Sequence, residues 1–159
     1  MALTGTKTFQ NYIGGEWVDS ASGETFESVS PATGDPIGVF PRSSADDVDR
    51  AVEAAKAAYE DWRLTPAPKR GEILFRFGQL LADQKDEVAQ LMAREMGKVL
   101  PEAAGDVQEG IDMSFYMGGE GRRLFGQTTP SELRDKFNMS VRMPIGVVWP
   151  KRRRPSPPM

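Results

Sequence analysis

No cysteine and no histidine occurs anywhere in the 159 residues. The first absence removes disulfides, thiolate metal ligands and a cysteine nucleophile; the second removes imidazole ligands and a histidine general base. Chemistry is left to carboxylates, hydroxyls and lysine. No apolar run approaches the roughly 18–20 residues that span a bilayer, so no membrane-spanning segment and no membrane partner is expected. The opening MALTGTKTFQ has neither the basic start nor the apolar stretch of a secretory signal, which points to a cytoplasmic protein.

What is present reads as a folded sequence. With 39% hydrophobic and 27% charged residues it lies outside the disordered and fibrous classes, and its length suits one domain with one core. The net charge of −3 is unevenly spread: Lys151, Arg152, Arg153 and Arg154 carry +4, which leaves −7 on residues 1–150. An acidic body offers no footprint for nucleic acid, so none is expected as a partner. A localisation, nucleic-acid or SH3-type ligand role would rest on the tail KRRRPSPP alone.

Along the chain, NYIGGEWV sets Gly14-Gly15 between two apolar pairs, the pattern of a two-residue β-hairpin loop. TFESVSPATGDPIGVFP gives two further short strands, around Phe26 to Val29 and Ile37 to Phe40, about the turn PATGDP. Helices follow. Ser44 caps the first with Asp47 three residues on, and Val48, Ala51, Val52, Ala55, Ala58, Tyr59 and Trp62 recur at helical spacing, an alanine-rich face suited to close packing. A second begins after Pro66 and Pro68, its apolar face Ile73, Leu74, Phe77, Leu80 and Leu81. A third, Asp86 to Met96, is expected to bury Val88, Leu91 and Met92 and to stop at Gly97 as a left-handed cap. A fourth runs from Pro101 with Val107, Ile111 and Phe115 on one stripe. Its interior glycines each cost about 1 kcal/mol against alanine, which close contact with another element offsets. GGEG is a poor phosphate loop, since it neither follows a strand nor opens a helix. After the turn-rich QTTPSELRD, Phe137, Met139 and Val141 alternate as in a half-exposed strand, and Ile145 to Val148 reads as a strand buried on both faces. The fold class expected is α+β: small antiparallel strands flanking four helices.

The strings NYIGGEWV, SPATGDPIG, DDVDRAVEAAKAAYEDW, PAPKRGEIL, EMGK, GDVQE and PIGVV, in this order from Asn11 to Val148, resemble the aldehyde dehydrogenase superfamily. The resemblance implies that residues 1–148 form the N-terminal portion of a larger α/β architecture with a Rossmann-like sheet, whose first strand is PIGVV, and that residues 149–159 are an unrelated basic tail. The family reaction oxidises an aldehyde with NAD or NADP: a cysteine thiolate attacks the carbonyl, hydride passes to the nicotinamide, and a glutamate-activated water releases the acid.

Carried over residue by residue, the family's catalytic set finds no match here. The strand leads into WPKRRRPSPPM where the family has a segment like TPWNFP, and neither Asn11 nor Asn138 stands at the place of its oxyanion-holding asparagine. The coenzyme turn, the general-base glutamate and the cysteine have no counterpart, and Glu95, Glu102, Glu109 and Glu120 match no catalytic motif. No catalytic and no cofactor-binding residue is therefore assigned, and no tight NAD or NADP binding is expected. The resemblance does imply one site, a monovalent cation on the carbonyls of Ser28 and Val29 and the carboxylate of Asp106. PAPKRGEI, EMGK and FGQTTPSE resemble semialdehyde-acid dehydrogenases, such as those for α-ketoglutaric or aminoadipic semialdehyde, more than those acting on simple aliphatic aldehydes. The expectation is a truncated dehydrogenase, interrupted after Val148 and inactive alone. The alternative is a non-catalytic helical module that pairs with full-length subunits or forms a homo-oligomer through its hairpin and the 137–142 strand. Helices meant to cover a missing sheet would expose apolar faces and leave a marginal, partly molten or oligomeric product.

Overall fold

A computed structural model describes residues 7–148; the basic Pro-rich tail, with its localisation or ligand reading, lies outside the described residues. β1 (Asn11–Ile13) and β2 (Glu16–Val18) form an antiparallel hairpin in which Tyr12 faces Trp17. Gly14 and Gly15 turn it at φ of 64° and 90°, a conformation that glycine adopts without a Cβ penalty. β3 (Thr25–Val29) pairs with β4 (Pro36–Pro41), and the register shifts between Ser28 and Val29. The turn between them is closed by Gly34 N–H to the Ser30 carbonyl and Ser30 N–H to the Asp35 carbonyl, both 2.8 Å. Thr8 bridges Val39 in parallel, adding the segment before the hairpin to the edge of β4.

α1 (Ala45–Leu64) begins at Ser44, whose backbone N–H and hydroxyl both donate to the Asp47 carboxylate, at 2.9 and 3.2 Å. Its alanine face does not pack as the sequence predicts. Ala55 and Ala58 are exposed and Asp47 is its one buried residue, because α1 touches β1 and lies clear of the helical core. α2 (Ala67–Asp83) and α4 (Leu100–Glu120) run side by side as the main helical pair, and α3 (Lys85–Met96) packs on α4. Gly97 ends α3 in the left-handed conformation, φ 72°, and Pro101 stands in the first turn of α4.

The apolar face of α2 is present as its periodicity implies, and most of it stands open. Ile73, Phe77 and Leu80 are each half or more exposed, while Gly71 and Gly78 are buried against α4. A Cβ on Gly71 would stand 2.3 Å from the Gly118 carbonyl oxygen, so the two backbones meet where neither residue has a side chain. On α3, Val88 and Met92 are partly buried as expected, but Leu91 is exposed and Ala89 takes the innermost place. The core is Ala89, Ala103, Val107 and Ile111, bordered by residues such as Leu81 and Met92. Phe115 lies at its margin, 6.2 Å from Phe75 across the α2–α4 contact.

β5 (Thr128–Pro130), in the stretch expected to be turns alone, pairs with β6 (Phe137–Met139). Both are fully exposed. Val141 lies beyond β6, and Ile145 to Val148 forms no ladder: Ile145 is 93% exposed. A strand is completed by a hydrogen-bonded neighbour, and no described residue supplies one there. Among the described residues the architecture is the expected α+β one, three two-stranded sheets and four helices.

Candidate functional site

Three places collect the residues of interest. The first surrounds the turn after β3. Ser28 is half-buried at the register shift, Val29 is exposed opposite Pro36, and Gly97 closes on Pro31, where a Cβ would come within 2.8 Å of Cγ. The end of α3 is thereby held to the β3–β4 turn. Immediately beyond it, Lys98 reaches α4 and donates its ammonium to the Asp106 carboxylate. Asp106 thus has a resident cationic partner from its own chain. Among the described residues no cluster of three His, Cys, Asp or Glu side chains is suited to a metal.

The second place is the junction of the hairpin with α1. Asp47 is 2% exposed. Its carboxylate accepts from the Ser44 N–H and hydroxyl and from the Ala21 N–H at 2.9 Å, with the Arg50 guanidinium 3.7 Å away. The Ser44 backbone N–H is the chief cause holding this carboxyl below its ordinary value; burial opposes it, and the Ala21 N–H, the Ser44 hydroxyl and Arg50 reinforce it. Asn11 joins the same corner by a reciprocal pair of hydrogen bonds with Ser43, at 2.9 and 3.1 Å. Its amide is a strut between β1 and the start of α1. Asn138 lies in the β5–β6 ladder opposite Thr129.

The four glutamates stand on helices, as their pattern implies. Glu102 and Glu109 are exposed on α4, Glu95 is exposed on α3, and Glu120 pairs with Arg123. The GGEG stretch is the end of α4, where Gly118 is buried against Gly71 and a Cβ on Gly121 would lie 2.5 Å from the Ala67 carbonyl oxygen. These glycines serve helix contact.

The third place is an open apolar groove of about 720 Å³ between the end of α1, the start of α2, the end of α4 and the 142–145 segment. Trp62, Ile73, Leu74, Met117, Leu124 and Ile145 line it. Arg70 stacks its guanidinium over Trp62 at 5.8 Å, and Arg142 donates to the Phe125 carbonyl at 3.3 Å. The Tyr59 hydroxyl donates to the Pro144 carbonyl at 3.2 Å, which fixes the 142–145 segment beside α1. Sequence reasoning missed this groove as a site. Its signal was the excess of apolar positions over what a small core can cover, together with Gly71 and Gly118 as the contact that leaves those positions outside.

No helix of the described residues is long and apolar enough to cross a membrane.

Comparison with known proteins gives this arrangement a context. The chain is 43% identical over 146 residues to malonate-semialdehyde dehydrogenase 3 of Geobacillus kaustophilus (strain HTA426), covering 92% of this chain and 30% of that protein. It is 40% identical over 147 residues to the alpha-ketoglutaric semialdehyde dehydrogenase of Bacillus subtilis (strain 168), covering 92% and 30%. Among solved structures, the NAD-dependent aldehyde dehydrogenase from Sinorhizobium meliloti superposes with a TM-score of 0.79 at 32% identity, over 84% of this chain and 27% of that one. The chain therefore spans about 30% of the length of the curated relatives it matches. The hairpin, the capped α1 and the glycine-joined α2–α4 pair all fall within residues 17–149 or at their edge, the stretch that matches the profile of the aldehyde dehydrogenase family, and the chain belongs to that family.

Proposed function

We propose that the chain supplies the N-terminal, non-catalytic portion of a cytoplasmic NAD- or NADP-dependent dehydrogenase that oxidises a semialdehyde acid, working in a homo-oligomer or beside full-length subunits. The carrying observation is the pairing of 43% identity to a malonate-semialdehyde dehydrogenase with a sequence that contains no cysteine. The two relatives named above are both semialdehyde dehydrogenases by name, which supports that substrate class. NAD(P), when bound by such an enzyme, accepts the hydride. This chain's own residues provide scaffold: the hairpin locked to α1 through Asp47 and Asn11, and the α2–α4 pair with its apolar outer face.

The purified 159-residue chain, assayed with NAD and NADP against malonate and α-ketoglutarate semialdehydes, is expected to show no reduced coenzyme above the uncatalysed rate. Turnover that persists after full-length host dehydrogenase has been removed overturns this reading.

A further inference from the structure

We propose that the outer edge of β4 is a strand-exchange site, and that its occupant in trans is the 7–9 segment of a second copy of this chain. Such exchange concerns association alone and holds whether or not the chain turns over a semialdehyde.

Among the described residues the helices barely touch the β3–β4 ribbon, and two strands alone are marginal. The 7–9 segment completes it. Val39 spends both backbone groups of its outer edge there, donating its N–H to the Lys7 carbonyl at 2.9 Å and accepting from the Phe9 N–H at 2.8 Å. Strand alternation turns the backbone of Pro41 to the same edge, and proline has no N–H to carry the ladder further, so the pairing stops at Phe9. The Phe9 ring lies flat on Phe40, centroids 4.6 Å and planes 3° apart, and Phe40 lies 5.9 Å from Phe26. Gly38 makes the room: a Cβ there would stand 2.5 Å from Phe9 Cε2 and 3.1 Å from the Lys7 carbonyl oxygen. The edge is a slot cut for one pattern, an aromatic residue two positions after the bonded carbonyl. Every copy of the chain carries both slot and pattern.

The hold in cis is slight. Among the described residues, two backbone hydrogen bonds and one ring stack join the segment to β4, and Lys7 and Thr8 are exposed. Gln10, also exposed, is the one residue between Phe9 and β1, and its side chain is tied to Asp19 at 2.9 Å. Rotation of the backbone at Gln10 swings the segment away and leaves the hairpin in place. β4 then presents an unpaired N–H and carbonyl at Val39 beside an uncovered Phe40, which the segment of a second copy satisfies with identical bonds. Exchange of an identical element costs association entropy and little else. Closure in cis therefore wins in dilute solution through its effective concentration, and closure in trans gains as the chain is concentrated. Since both partners bring the same slot and the same segment, the exchange closes as a two-fold dimer.

The chain has no cysteine, so thiols introduced by substitution make its only disulfides. Thr8 and Val39 are bridge partners, and each receives one thiol on a separate full-length chain. A donor carries Thr8→Cys with Gly38→Val, which blocks its slot and keeps its segment. An acceptor carries Val39→Cys with Phe9→Ala, which disables its segment and keeps its slot. Mixed in a glutathione redox buffer, they are expected to form a donor–acceptor disulfide that rises with chain concentration and exceeds either homodimer by at least about tenfold. Adding Phe9→Ala to the donor should remove that excess. No excess overturns the proposal, and so does an excess indifferent to Phe9, which places the contact elsewhere. Unchanged helical circular dichroism shows that the variants are folded, and a synthetic peptide of residues 5–10 carrying Thr8→Cys tests the slot by itself. An acceptor that captures the peptide and not the donor chain has a slot that an intact segment cannot reach in trans, which also overturns exchange. Failed exchange leaves the functional reading standing, and turnover by the 159-residue chain alone would sink that reading and leave exchange untouched.

Discussion

Asp47 carries more structural duty than its place at the third position of a helix suggests. Among the described residues it is the only ionisable side chain that is fully buried, and it joins two segments by accepting from Ser44 at the start of α1 and from Ala21 in the loop after β2. Its carboxyl titrates below the ordinary value because those donors favour the charged form. The sign of the linkage follows: a depressed folded pKa gives stability that is complete above the unfolded value, about 3.9, and is lost as pH falls through the lower folded value. Exchange protection of the Ala21 amide, corrected for intrinsic rate, should be constant from about pH 7 to 5 and decline below about 4. Asp47→Asn removes the charge but keeps one acceptor oxygen. It should lower that protection at neutral pH and flatten its dependence on pH. A variant with wild-type protection and the same acid decline would show that another group controls this corner.

The elements differ in how they are held, and two glycines in α2 and α4 make the difference measurable. At Gly71 a Cβ meets the Gly118 carbonyl, backbone against backbone, so the helices must separate to admit it. Gly71→Ala should lower the opening free energy of the α2–α4 pair by about 1–3 kcal/mol, the usual cost of overpacking. At Gly105 an added Cβ meets nothing within 4 Å. Gly105→Ala should raise it by up to about 1 kcal/mol through helix propensity alone. Amide exchange across α2 and α4 reads both, and a neutral Gly71→Ala would contradict the close approach. The same contrast explains what was legible in the sequence. The Gly-Gly hairpin, the Ser44–Asp47 cap and the Gly97 stop are decided within a few residues, so local pattern sufficed. Helical spacing on α2 identified Ile73, Phe77 and Leu80 as one stripe but carries no information on whether anything covers it, and the buried side was marked by glycines instead. Ile145 to Val148 has strand composition, yet a strand depends on a hydrogen-bonded neighbour that local sequence does not specify. At the candidate site, Asp106 was singled out as a cation ligand through the family resemblance, whereas its partner Lys98, eight residues earlier across a turn, required the fold to be seen.

At the scale of the molecule, the decisive quantity is surface. A compact monomer of 17.5 kDa exposes about 7,900 Å² by the scaling of folded proteins, and this chain exposes 13,052 Å². With about 2,800 Å² set aside for the 17 residues outside the described range, taken at the unfolded-chain value, about 10,200 Å² remains, still well above the compact expectation. Its source is visible in the core, where four apolar residues are fully buried while Trp62, Ile73, Phe77, Leu80 and Ile145 stand open. Burial of apolar surface is the main favourable term in folding, worth about 25 cal/mol per Å², and a chain that forgoes this much of it has little margin over its conformational entropy. Isolated in dilute buffer, the protein should keep its strongest amide protection in α3 and α4 around Ala89, Ala103, Val107 and Ile111, bind a dye such as ANS on its open face, and melt over a broad range. A monodisperse monomer with a sharp cooperative transition and no dye binding would mean that the face closes on itself in solution, and the expectation of a marginal fold would fail with it.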